Sequence, residues 1–135
     1  MTDISKIDME RINGLLDKLD EVTNKINSMK YVIESGSNSN GWYRKWSDGF
    51  IEQWGILNTT TSAGSELRGT ITLPTSFSST NYIIQITSYR IDINPYNPCY
   101  FGAYQITSKN SFIYRWQGAN NSQYIDGISW YACGY

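Results

Sequence analysis

Between Ile12 and Ile33 apolar residues return at steps of three and four: Ile12, Leu15, Leu19, Val22, Ile26, Met29 and Ile33. With Ile12 at heptad position a, Leu19, Ile26 and Ile33 also fall at a, and Leu15, Val22 and Met29 fall at d. A seam sustained for about three heptads predicts a helix that meets copies of itself. Such a helix spans roughly 33 Å at 1.5 Å per residue, and alone in water it is marginal because nothing covers its seam.

The number of copies is read from the flanking positions. Position g carries Arg11, Lys18 and Lys25 and position e carries Leu16, Thr23 and Lys30, so no g-to-e pair is complementary. Apolar Leu16 at e and Val32 at g widen the buried stripe, which suits three strands better than two. The expectation is a parallel homotrimer; the alternative is one amphipathic helix packed on the domain that follows. Before Ile12 the heptad falters, with Ser5 and Asp8 at seam positions, so the first ten residues are expected to be frayed or loosely helical. The polar run Ser35-Gly-Ser-Asn-Ser-Asn40 reads as a linker.

The expected organisation is a coiled-coil helix over 1–35, a linker over 36–40 and a β-sandwich knob over 41–135. From Gly41 the period changes from 3.5 to 2. Strands are expected at 41–46 and 50–55, joined by a tight Ser47-Asp48-Gly49 turn, then at 67–73, 82–89, 100–107, 112–116 and 128–135. Pro74 stops the third of them. Residues 56–64 read as irregular, 92–98 and 117–127 as polar loops. Seven short strands with turn signals between them make the fold class mainly β, a small antiparallel sandwich.

Charge narrows the partners. Residues 1–35 carry seven acids and five bases, and the remainder carries five acids and six bases. Every aromatic residue except Tyr31 lies in the second part. A nearly neutral surface rich in Tyr, Trp, Asn, Ser and Thr lacks the clustered cations that phosphate backbones require, so nucleic acid is excluded. It suits uncharged polar ligands and protein surfaces. No run of 18 or more apolar residues exists, so membrane insertion is not expected. The first residues carry no basic and apolar leader, which points to synthesis in a reducing cytoplasm. Cys99 and Cys133 are read as two half-buried thiols in preference to a bridge.

Gly41-Trp-Tyr-Arg-Lys-Trp-Ser-Asp-Gly-Phe-Ile-Glu-Gln-Trp-Gly55 resembles the opening hairpin of C-terminal knob domains in bacteriophage tail-fibre proteins. Ile71-Thr-Leu-Pro-Thr-Ser-Phe77, Asn81-Tyr-Ile-Ile-Gln-Ile-Thr87 and the ending Ser129-Trp-Tyr-Ala-Cys-Gly-Tyr135 look like the same family. The "Leu-Pro-x-x-Phe" strand and "Trp-x-Ala" ending also resemble H-type lectins, trimeric sandwiches that bind sugars. The resemblance covers about residues 41–135 and implies the receptor-binding tip of a virion fibre whose knob contacts a bacterial surface glycan or protein. The chain carries no large N-terminal module for joining the virion, so it is expected to be a short fibre or the C-terminal part of one. The alternative class is a structural virion protein, a head fibre or trimerisation cap, whose knob only keeps three chains in register. A cellular lectin is weakened by the missing secretion signal.

Catalysis is not expected. The chain has no histidine, which removes His-based triads and His-based zinc sites, and no cofactor motif occurs. Asp92 and Asp126 are the only carboxylates placed in loops where a glycosidase pair could form, and polar loop roles explain them more simply. For binding, the two polar loops carry the interest. Tyr89, Arg90, Asp92, Tyr96 and Asn97 belong to the first, in which Pro95 and Pro98 stiffen the presentation. Trp116, Asn120, Asn121, Tyr124 and Asp126 belong to the second. Aromatic faces beside Asn, Asp and Arg give a sugar a flat apolar platform flanked by hydrogen-bonding groups. Packing competes with that role for Tyr89 and Trp116 at strand ends. Trp42, Trp46, Trp54 and Trp130 are assigned to the core or to subunit contacts.

Overall fold

The computed structural model describes residues 4–59, 66–89, 103–117 and 125–135, and the chain divides into two units, Met1–Tyr31 and Val32–Tyr135. In the first, α1 spans Ile4–Ser28. Its backbone is helical from Ile4, through the positions before Ile12 where the heptad falters. Lys25 donates to Glu21 one turn earlier at 2.6 Å, and Ser28 Oγ donates to the Lys25 carbonyl at 2.8 Å, satisfying a C-terminal carbonyl. The seam residues Ile12, Leu15, Leu19, Val22 and Ile26 are exposed along the single helix.

Helix α1 ends at Ser28, short of Ile33, the seam's expected last member. The correction has a local cause. Val32–Asn38 forms strand β1, antiparallel to β2 at Gly41–Trp46, with Glu34 opposite Lys45. Glu34 accepts hydrogen bonds from Tyr43 Oη at 2.7 Å and Lys45 Nζ at 2.9 Å. The segment expected as a linker is therefore the end of a strand and a tight turn. The Asn40 N–H donates to Asn38 Oδ1 at 2.9 Å, and Gly41 takes φ +144°, where a Cβ would collide with the Trp54 carbonyl.

The other seven strands follow the sequence reading closely. They are β3 (Ile51–Asn58), β4 (Glu66–Thr72), β5 (Ile83–Tyr89), β6 (Ala103–Ser108), β7 (Ser111–Gln117) and β8 (Gly127–Gly134) beside β2. Residues 56–58, expected as irregular, extend β3 against β8, with Leu57 opposite Ile128, and Gln117 and Gly127 at the edges of the expected 117–127 loop belong to β7 and β8. Residues 100–102 of the strand expected at 100–107 lie outside the described residues. The strands form two antiparallel sheets, β1-β2-β3-β8-β5 and β4-β7-β6.

The core lies between them. β7 sends Phe112, Tyr114 and Trp116 inward and β8 sends Ile128, Trp130 and Ala132, the period-2 pattern of a half-buried strand. Phe112 meets Trp130 edge-on, with ring centroids 5.9 Å apart. Ile51, Ile71, Leu73, Phe77, Tyr82, Ile84 and Ile125 complete the layer. Each such side chain contributes roughly 1.5–3 kcal/mol of burial.

Candidate functional site

Strand direction gives the sandwich two unlike ends. The chain crosses between sheets three times at one of them, through 59–65, 90–102 and 118–126. The registers Asn58–Gly127, Tyr89–Gly127 and Glu66–Gln117 align the strand ends from which these connections leave. The opposite end holds Val32, paired with Trp46, together with the single crossing 73–82, the Lys109–Asn110 turn and Tyr135. Backbone hydrogen bonds from Leu73 to Asn110 (2.8 Å), Phe77 to Lys109 (2.9 Å) and Ser78 to Tyr135 (2.8 Å) tie that opposite end together. Unit two is thus entered at the end away from the three crossings.

At the three-crossing end Gly127 sits between two strands at once. A Cβ there would stand 2.5 Å from the Leu57 carbonyl oxygen and 2.5 Å from the Tyr89 ring, so glycine is required for the approach. The Tyr89 hydroxyl donates to Asn58 Oδ1 across β8. The Asp126 N–H donates to the Tyr89 carbonyl at 3.0 Å, and the Thr59 N–H donates to the Asp126 carbonyl at 3.0 Å. The structure therefore brings Tyr89 and Asp126 together as a clamp that closes the mouth of the five-stranded sheet. Arg90, Asp92, Tyr96, Asn97, Asn120, Asn121 and Tyr124 lie outside the described residues.

Trp116 requires correction. Its ring is 0% exposed and belongs to the core, so it offers no platform to a ligand. It anchors the strand that leads into 118–124. Trp130 is a core residue as assigned, whereas Trp42 is 46% exposed on the outer face of the five-stranded sheet.

Two groupings are not visible in the sequence reading. On that outer face Glu52 accepts from Trp46 Nε1 at 2.7 Å and from Tyr131 Oη at 2.7 Å, while Arg44 stands 5.2 Å above the Trp54 ring. Burial first, and then the bond to Glu52, pushes the Tyr131 phenol well above its usual range. On the three-stranded sheet Arg68, Tyr104, Gln105, Ile113 and Arg115 line an open groove near the three-crossing end. The signal for the second grouping was the scarcity of cations in the β unit, but pairing Arg68 with Arg115 needs the strand register.

Among the described residues, no cluster of three or more Cys, Asp or Glu is placed to hold a metal. Cys133 is a free thiol and Cys99 lies outside the described residues. No helix there is long and apolar enough to cross a membrane.

Residues 44–135 match the family model described as "Putative tail fiber protein gp53-like, C-terminal". Two solved structures share the fold. Against the R1 pyocin fibre of P. aeruginosa, represented by its C-terminal part, the TM-score is 0.57 at 19% identity, covering 83% of this chain and 30% of that one. Against an N-truncated R1-type pyocin tail fibre it is 0.52 at 19% identity, covering 86% of this chain and 95% of that one. No curated protein matches.

Proposed function

The chain belongs to the gp53-like tail-fibre C-terminal family, whose members are fibre domains rather than enzymes, and from that premise we propose that it is a fibre-tip adhesin. Three copies join through α1 and hold three knobs against a bacterial surface receptor, a glycan in preference to a protein. The protein is made in the host cytoplasm and sits at the tail-fibre tip of the virion.

The observation that carries this reading is the placement of the three crossings. All leave from one end of the sandwich, opposite Val32, where the preceding chain enters. The connections between these strand ends include Arg90, Asp92, Tyr96, Asn97, Asn120, Asn121 and Tyr124. The exposed seam of α1 supports self-association. Joining three weak sites raises avidity by roughly 10² to 10⁴ where receptors lie within reach, so shallow individual sites suffice.

The test is binding of fluorescently labelled protein to a panel of bacterial strains. The reading expects one or more strains to be coated, and coating to be lost when Tyr96 and Asn97 are both changed to alanine. Undiminished coating after 91–98 and 118–124 are replaced by Gly/Ser segments would remove the loop assignment. No coating of any strain would favour a structural virion role, in which the knob only keeps chains in register.

A further inference from the structure

The three-stranded sheet carries an imbalance of charge that folding alone does not explain. Arg68 of β4 and Arg115 of β7 are directly opposite one another, and like charges in that relation destabilise a sheet. Arg115 is held by Glu66 in a two-pronged pair, Nε to Oε1 at 3.0 Å and Nη2 to Oε2 at 3.0 Å. Glu66 is the one carboxylate in the strands of this sheet, and it is committed to Arg115. Arg68 has no ion pair among the described residues. One guanidinium is therefore left uncompensated beside another, at a groove of about 350 Å³.

The remaining lining residues suit a polar ring. Gln105 supplies an amide and Ile113 an apolar surface on the same face of the sheet, while Tyr104, opposite Tyr114, edges the groove from edge strand β6. The volume falls within the roughly 300–1,000 Å³ range of small-ligand sites. An anion bearing a flat-faced ring would relieve the repulsion between the arginines, cover Ile113 and meet the Gln105 amide at once.

We propose that this groove binds an anionic saccharide, a pyranose carrying a carboxylate or a phosphate, with Arg68 meeting the anion. The proposal rests on the adhesin reading and gives it a ligand class. Its residues lie in the strands of the three-stranded sheet and not in the three crossings.

The test titrates the full chain with galacturonic acid, glucose 6-phosphate, galactose and glucose by ligand-observed NMR at low salt. At least one acidic probe is expected to bind, its neutral parent at least tenfold more weakly, and added salt to weaken the complex. Which acid binds separates carboxylate from phosphate recognition. Arg68→Gln should lose at least tenfold in affinity, Arg68→Lys less, and neither should lower the melting temperature, since Arg68→Gln removes a repulsion. Equal binding of acid and neutral parent, unchanged affinity in Arg68→Gln, or no binding of either acid would overturn the proposal. Coating of bacterial strains by the same preparation separates the two levels. Coating without acid binding overturns the groove alone, whereas absence of coating overturns the adhesin reading itself.

Discussion

The indole of Trp130 occupies the space that a side chain at Gly55 would need: a Cβ built there stands 2.7 Å from Cζ2 and 2.8 Å from Nε1. Both residues lie on paired central strands, and the ring is buried, so neither can yield freely. Gly55→Ala is therefore expected to lose about 1–3 kcal/mol through overpacking. Urea unfolding should show a lower midpoint with an unchanged slope. A midpoint equal to the wild type would mean that the ring can move aside.

Trp116 offers a second test, one that separates packing from recognition. Its ring is fully buried, yet its Nε1 has no hydrogen-bond partner among the described residues. Trp116→Ala should cost about 3–5 kcal/mol by leaving a cavity. Trp116→Phe should cost much less, because no bond between the indole and a described residue is broken, and should leave coating of cells unchanged. Loss of coating in a stably folded Trp116→Phe protein would return the residue to the binding set.

The Tyr82 phenol is pushed up to about 12 by burial, and its hydroxyl lies within hydrogen-bond distance of the Ser108 and Ser111 carbonyls at 3.0 and 2.9 Å. Burial raises Tyr114 in the same direction. An unfolded tyrosine titrates near pH ~10, so the neutral phenol's contribution is complete below that value and is lost as pH rises through about 12. Tyr82→Phe should cost about 1 kcal/mol at neutral pH and flatten part of the alkaline decline. Urea midpoints measured across this window for both proteins check the sign.

Much of the β unit is legible because its inward residues are apolar and its outward ones are not. β7 reads Phe112, Tyr114, Trp116 on one face, and β8 reads Ile128, Trp130, Ala132. β1 is illegible by that criterion, since nearly all of it is exposed on both faces. Its pairing comes from Glu34 with Tyr43 and Lys45, contacts that a hydropathy pattern does not encode. Met29 and Ile33 extend the heptad by coincidence of spacing, while β-branched Val32 and Ile33 and the Asn40-Gly41 turn carry the competing strand signal. The Arg68–Arg115 pairing is hidden for another reason: it depends on the register of strands far apart in sequence. Tyr89 is legible as a strand-end residue and Asp126 as a loop residue, though their mutual clamp is not.

The β1–β2 contact can be tested alone. Lys45 first, and then Tyr43, holds the Glu34 carboxyl below its usual range, while the same bond raises the Tyr43 phenol. A lowered carboxyl favours the pairing above the ordinary glutamate range and ceases to do so as pH falls through its folded value. Glu34→Gln should speed amide exchange in Val32–Asn38 while the amides of β3 and β8 keep their protection. Equal acceleration in all three strands would show that β1 is part of the global unfolding unit.

Sedimentation equilibrium of the full chain at micromolar concentration tests the account most directly. It predicts a particle of three times the chain mass that dissociates when Leu19 and Ile26 are both changed to aspartate. A stable particle of one chain mass would contradict it.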